Sequence, residues 1–243
     1  MIRVGTAGWT VPRRVAEAFP VEGTGLERYT ARFNCAEINS TFYRPHKPAT
    51  FERWAATTPE GFRFSVKIPK TITHDARLKE AAHLLPPFLE QLAPLGDKLG
   101  PLLVQLPPSL ALDLEVAHSF FAAFRALFHG AIVCEPRHAS WFEPEVDALW
   151  TEHRLSRVGA DPARTPEAAI PGGWPALAYW RLHGSPRLYY SEYDTPFLQA
   201  LAAALTQAPG EVWCVFDNTV SGAAAANALE LNALLGGEPA ASR

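Results

Sequence analysis

The segment Ile132-Val-Cys-Glu-Pro-Arg-His-Ala-Ser-Trp141 runs from an apolar start into Glu135, Arg137 and His138. Together these offer a carboxylate for proton transfer, a guanidinium fork for an anion, and an imidazole that titrates near neutral pH. An apolar run without polar alternation predicts a strand buried on both faces, here opening into a site. The pattern recurs. Other short apolar runs end in Gly8-Trp9, Glu37-Ile-Asn39, Lys67, Gln105, Asp161, Arg181 with His183, and Asp217-Asn218. Their amino ends offer little beyond Arg3 and Arg63. Strand parity puts Glu37 with Asn39, Glu135 with Arg137, and Arg181 with His183 on shared faces. Charges gathered at one rim must pair across it, because a buried unpaired charge is costly.

On this reading Glu37, Glu135, His183 and His138 are the candidates for proton transfer. Lys67, Arg137 and Arg181 would hold phosphate or carboxylate oxygens. Asn39, His74, Gln105, Asp161, Asp217 and Asn218 complete the polar lining, and Trp9, Tyr43 and Trp141, just past strand ends, would stack on a sugar or base. The plainer alternative is a set of structural salt bridges closing the rim. His74, His138 and His183 speak against it, since a fixed ion pair has no need of groups that titrate near pH 7. Gln105 and His183 stand where barrel glycosidases carry their carboxylates, which disfavours glycoside hydrolysis. A Schiff base at Lys67 ranks below a plain cationic role. Glu37, Glu135, His138, Asp161, His183 and Asp217 are metal-ligand types, but no H-E-x-x-H pattern occurs and the cations disfavour a divalent ion, so no metal is assigned. Thr219-Val-Ser221-Gly222 leads into the last helix with Ser221 as N-cap, at a corner where many barrels bind phosphate.

The elements that must position these residues follow from periodicity. Apolar runs at Ile2–Thr6, Ala36–Asn39, Phe62–Ile68, Leu102–Leu106, Ile132–Glu135, Ser156–Ala160, Ala178–His183 and Val212–Phe216 predict strands. Helical spacing places Leu26, Tyr29 and Phe33 on one helix and Phe51 with Trp54 on the next. A third is broken or restarted at Pro86-Pro87. Leu114–Phe128, a helix marked by Val146, Leu149 and Trp150, Phe197–Leu205 and Ala223–Leu235 complete the series. Alternation of strand and helix implies parallel pairing through crossovers. An open doubly wound sheet and a closed barrel compete. Gly5-Thr-Ala-Gly8-Trp9 lacks the third glycine of G-x-G-x-x-G, so no nucleotide cofactor is expected. The fold expected is a single α/β domain over 1–243, a (β/α)8 TIM-type barrel whose sixth helix is replaced by the proline-rich loop Pro162–Pro175.

The chain has 243 residues, and its 25 acidic and 22 basic residues leave a net charge of −3. That balance gives no general attraction to nucleic acid or membrane, so anion binding must be local. Met1-Ile-Arg-Val-Gly shows no leader pattern and no run is long enough for a membrane span. Cys35, Cys134 and Cys214 lie inside strand-like runs with spacing unsuited to a zinc cage. They read as buried free thiols in a reducing, cytoplasmic setting.

Several motifs carry a resemblance over nearly the whole chain. Gly8-Trp9, Glu37-Ile-Asn-Ser-Thr-Phe-Tyr43, Phe62-Arg-Phe-Ser-Val-Lys67, Ile72-Thr-His74, Leu95-Gly-Asp-Lys-Leu-Gly100, Gln105-Leu-Pro-Pro108, Glu135-Pro-Arg-His-Ala-Ser-Trp141, Arg181-Leu-His-Gly184 and Phe216-Asp-Asn218 resemble the YecE-like family, also called domain of unknown function 72. The resemblance implies a TIM-barrel-like fold and a cytoplasmic, bacterial-type protein, and brings no reaction with it. The chain departs from the family pattern at Asp217, where an asparagine is expected. The function expected is an enzyme, a hydrolase, isomerase or lyase, using general acid–base catalysis on a small anionic, phosphorylated or sugar-like substrate. A nucleic-acid-binding or metal-dependent phosphodiester-cleaving protein and a non-catalytic ligand sensor are the alternatives.

Overall fold

The computed structural model describes residues 1–236. The fold is mixed α/β with parallel-strand sheets. Its strands are β1 (Ile2–Thr6), β2 (Cys35–Ile38), β3 (Arg63–Lys67), β4 (Leu99–Gln105), β5 (Ile132–Glu135), β6 (Leu155–Arg157), β7 (Gly159–Asp161), β8 (Gly172–Gly173), β9 (Leu177–Leu182) and β10 (Glu211–Phe216). They form two sheets, ordered β1-β10-β9-β7 and β2-β3-β4-β5-β6-β8. All ladders are parallel except β6 with β8. The helices are α1 (Gly25–Thr30), α2 (Pro48–Thr57), α3 (Leu85–Leu92), α4 (Leu114–Leu127), α5 (Val146–Glu152), α6 (Thr195–Gln207) and α7 (Ala223–Leu234). Among the described residues no helix is long and apolar enough to cross a membrane.

The predicted sixth strand is interrupted. β6 pairs with β5, β7 pairs with β9, and Val158 lies between them with its N–H donating to Cys134 O. The connection after β7 holds a single 3-10 turn, Pro166–Ala169, and the two-residue β8, with no α-helix before β9. Pro86 and Pro87 mark where the third helix restarts. They occupy the first turn of α3, where a missing N–H costs nothing, and a 3-10 turn (Ala81–Leu84) precedes it.

β1 and β2 approach each other at the remaining seam through a single bridge, Ala7 with Glu37, where Gly8 N donates to Glu37 O at 2.8 Å. Below it, side chains supply the bonds a ladder would make. Thr6 N donates to the Tyr29 hydroxyl at 2.7 Å, and that hydroxyl donates to Cys35 O at 3.0 Å. Asn34 accepts from Val4 N and donates to Ile2 O, both at 3.0 Å. The buried backbone groups facing this seam below the bridge are thus paired without ladder hydrogen bonds between the strands. Gly5 permits the approach, since a Cβ there would lie 2.1 Å from Cys35 O.

Two apolar layers result. Side chains that alternate outward from the strands pack under the helices in a large cluster that includes Phe64, Phe121, Trp150 and Phe216. Those that alternate inward, among them Cys35, Leu103, Val133, Val158, Tyr179, Trp213 and Val215, form a second core between the sheets. The polar rim stands on this inner layer. The three cysteines are buried and free, one each in β2, β5 and β10.

Candidate functional site

Parity delivers the rim. On β9, Tyr179 and Arg181 alternate to the inside, and His183 follows two residues on. Glu37 ends the inward row of β2, Ser65 and Lys67 that of β3, Gln105 that of β4 and Glu135 that of β5. Register puts Gln105 beside Glu135. Gln105 Nε2 accordingly donates to both Glu135 carboxylate oxygens, at 3.0 and 3.1 Å.

Arg181 is the hub of the network and is fully buried. Its Nη2 is 2.8 Å from Glu37 Oε1 and its Nε 3.0 Å from Glu37 Oε2. Nη2 is also 3.0 Å from Asp217 Oδ2, and Nη1 is 3.2 Å from Glu135 Oε2. His183 bridges the other carboxylate edges, with Nε2 2.8 Å from Glu135 Oε1 and Nδ1 3.0 Å from Asp217 Oδ2. The Tyr179 hydroxyl lies 3.2 Å from Glu37 Oε2, to which it can donate, and 3.0 Å from Ser65 Oγ, from which it can then accept.

The electrostatics follow from this packing. Burial raises the proton affinity of Glu135, but His183 and Arg181 outweigh it and hold the carboxyl well below the usual range. Asp217 is likewise lowered against its burial, chiefly by Arg181. Burial disfavours a charged His183, yet the Glu135 carboxylate and the bonds to both acids outweigh that penalty and raise it. Arg181 stays charged because three carboxylates surround it. The buried network thus gathers Glu37, Glu135 and Asp217 around Arg181 and His183, with Lys67 nearby.

Lys67 differs from these groups. Burial, then repulsion from Arg181, pulls its amine down to about 8. Its Nζ lies 3.9 Å from the centre of the Phe42 ring, and no carboxylate among the described residues is within ion-pair distance. Arg137 is half-buried, and its guanidinium makes no ion pair among the described residues. His74 rides on a wide turn of π type, Thr71–Asp75. Burial, then the charge of Lys67, lowers its proton affinity against the pull of Asp75, and the Phe42 ring lies between His74 and Lys67. The Phe42 ring packs edge-on against His74 at 4.9 Å and against Tyr43 at 5.0 Å, leaving Tyr43 exposed. Asn39 Oδ1 is buried with no hydrogen-bond partner among the described residues.

Other sequence candidates lie elsewhere. Trp9 packs edge-on against Trp54 at 4.9 Å and Phe64 at 5.9 Å, and so belongs to the outer apolar layer. Trp141 is buried beside Trp150, its indole N–H donating to Leu110 O at 2.9 Å. The Trp141 ring is closed to a ligand, whereas Trp9 stays half-buried. His138 caps the turn Ala139–Phe142, accepting from Ser140 N, and has no bond to the Arg181 network. Asp161 accepts from the Tyr193 hydroxyl at 2.8 Å. Asn218 donates to Ser191 O at 2.8 Å and to Asn227 Oδ1 at 3.0 Å, while Asn227 bonds the backbone of Tyr193. Asp161 and Asn218 thus brace the loop after β9. Ser221 is not an N-cap. Gly222 takes that place with φ 77°, and Ser221 Oγ donates to Tyr190 O. Arg181 is placed at the rim, but its donors are committed to carboxylates and it offers no face to a ligand.

Tyr179, Ser65 and Phe42 complete the site. Parity alone marks Tyr179 and Ser65, each two residues before a charged rim residue. A cavity of about 690 Å³ lies at the opposite end of the strands, lined by Arg3, Asn34, Gly61 and Leu229 among others. Arg3 is bound there to Glu211 at 2.7 Å and to Gly61 O, and nothing comparable to the rim network accompanies it.

The chain spans about half the length of the curated relatives it matches. It is 34% identical over 143 residues to UPF0759 protein YecE of Escherichia coli K12, covering 58% of this chain and 50% of that protein. It is 28% identical over 152 residues to UPF0759 protein YunF of Bacillus subtilis, covering 59% and 53%. Among solved structures, a DUF72 family protein from Enterococcus faecalis superposes with a TM-score of 0.78 at 24% identity, covering 97% of this chain and 98% of that one. Another from Thermotoga maritima gives 0.77 at 24% identity, covering 97% and 99%. These likenesses bear on the fold. The family described as "Protein of unknown function DUF72" matches residues 3–242, and the chain belongs to that family.

Proposed function

We propose that the chain is an enzyme acting on a small anionic substrate, phosphorylated or carboxylated, at the carboxyl ends of its strands. The observation that carries this reading is the contrast between two sets of cations. Arg181 is consumed by buried carboxylates, whereas Lys67 and Arg137 stand beside the network without an anionic partner in ion-pair contact. Two such cations, with His74 and a buried unpartnered Asn39 Oδ1, suit a ligand bearing negative oxygens and a hydrogen-bond donor. Lys67, with its amine near the working pH, is the proton donor and acceptor. The His183–Glu135 pair beneath it sets the local field and relays a proton when a substrate group displaces one carboxylate contact.

The scaffold we infer is one closed (β/α)8 barrel. Of ten strands, β6 and β7 count as one interrupted strand and β8 is an excursion, which leaves eight. Val158 joins the sheets on one side, and the Ala7–Glu37 bridge with Tyr29 and Asn34 joins them on the other. Three buried free thiols suit a cytoplasmic setting.

Titration of inorganic phosphate and small carboxylates into the protein, followed by calorimetry, tests the site. Arg137→Ala should abolish binding while leaving the melting temperature near that of the wild type. Unchanged binding in Arg137→Ala would remove the anion site. Binding with no turnover across phosphoester, sugar phosphate and carboxylate panels would leave a ligand sensor.

A further inference from the structure

Away from the rim, α4 and the end of α5 bring three metal-ligand side chains together. His118 lies on α4, Glu152 closes α5, and His153 is its C-cap. His118 Nδ1 is 3.1 Å from His153 Nε2. Glu152 reaches both rings, at 3.6 Å from His118 Nδ1 and 4.0 Å from His153 Nε2. We propose that His118, Glu152 and His153 form a binding site for a divalent transition-metal ion of the zinc type, with water as the fourth ligand.

Geometry supports the assignment. A tetrahedral ion with bonds of about 2.0–2.1 Å to nitrogen and oxygen holds its ligand atoms roughly 3.4 Å apart. The three donor atoms already lie within 4.8 Å of one another, so a small rotation of the Glu152 side chain completes the set. Two imidazoles with one carboxylate select zinc, copper or nickel over magnesium or calcium, which require oxygen ligands. The histidine–histidine hydrogen bond accounts for the shortest distance, and Glu152 adds a carboxylate within reach of both rings.

The surroundings also suit an ion. The His153 side chain is 7% exposed and packs near Phe121, while those of His118 and Glu152 are 38% and 62% exposed and leave a way in. Arg125, further along α4, fixes the backbone that carries the His153 ring. Its Nε donates to His153 O and its Nη2 to Arg154 O, both at 3.0 Å. A bound ion would pin α4 to the turn between α5 and β6. This site is independent of the anion site at the rim.

The test is a zinc titration of tag-free protein by calorimetry, with native mass spectrometry for stoichiometry. Wild type should take up one zinc per chain at this site and melt at a higher temperature with zinc present. Loss of a group that merely supports a ligand weakens metal binding about 10–100-fold, so His118→Ala should weaken it by at least about a hundredfold and Glu152→Gln by about tenfold. Both residues are partly exposed, and circular dichroism should show both variants folded. Cobalt should give the visible bands of a four-coordinate site in wild type and lose them in His118→Ala. No zinc uptake at submillimolar metal, or uptake equal in wild type and both variants, would overturn the assignment.

Discussion

Arg181 and Glu37 meet in a two-point ion pair, Nη2 to Oε1 at 2.8 Å and Nε to Oε2 at 3.0 Å, with no exposed surface on either side chain. The fork geometry suits a carboxylate, and the remaining donors reach Glu135 and Asp217. Arg181 therefore organises the acids. Removing it leaves three buried carboxylates without their common partner. Arg181→Met is expected to lose about 3–5 kcal/mol of stability, read by urea denaturation. Adding Glu37→Gln should recover part of that loss. A single variant as stable as wild type would show that the network contributes nothing to the fold.

His183 ties stability to pH. Its folded proton affinity is raised above that of the unfolded chain, so its contribution is complete below the unfolded value, about 6.5, and is lost as pH rises through the higher folded value. Glu135 and Asp217 work in the opposite sense, contributing above the ordinary carboxylate range and losing that contribution as pH falls through their lowered folded values. The stability gap between wild type and His183→Gln should thus be widest on the weakly acidic side of neutrality and narrow toward alkaline pH. A gap that widens with rising pH would mean that His183 is not held as an imidazolium.

Tyr29 offers a test of the seam between β1 and β2. Its hydroxyl accepts from Thr6 N and donates to Cys35 O, standing in for a missing ladder bond. Tyr29→Phe keeps the ring, which packs on Phe33 at 4.7 Å, and leaves two buried backbone groups unpaired. The expected loss is about 1–3 kcal/mol, with faster hydrogen exchange at the Thr6 amide. If exchange at Thr6 is unaltered, some other acceptor holds that amide.

The charged rim was legible in the sequence because parallel strands buried on both faces appear as apolar runs, and their ends show as a change of residue type. Glu37, Lys67, Gln105, Glu135, Arg181 and Asp217 all follow from that rule, and strand parity carries it to Tyr179 and Ser65 as well. Trp9, Trp141 and His138 lie beyond the strand ends, where no parity applies and packing decides which layer a side chain joins. Trp9 and Trp141 went to the helix layer and His138 to a local cap. The interruption at Val158 was equally hidden, since a change of pairing partner leaves no trace in hydrophobic periodicity.

Lys67 lets stability and binding be separated. In the fold its amine is pulled down to about 8 by burial and by Arg181, while the unfolded chain keeps an ordinary lysine near 10.5. Below pH 8 both states are protonated and the folded state carries the full penalty of a buried charge. Between about 8 and 10.5 the unfolded chain binds more protons, so wild-type stability rises with pH relative to a variant without the amine. Lys67→Met keeps an unbranched apolar side chain against Phe42 and removes the charge. It should therefore melt at a higher temperature than wild type near pH 7, with an advantage that shrinks through that alkaline window, and it should lose phosphate binding. Gain of stability with loss of binding marks a residue retained for function. A lower melting temperature near pH 7 would instead make Lys67 a structural partner of the acids beneath it.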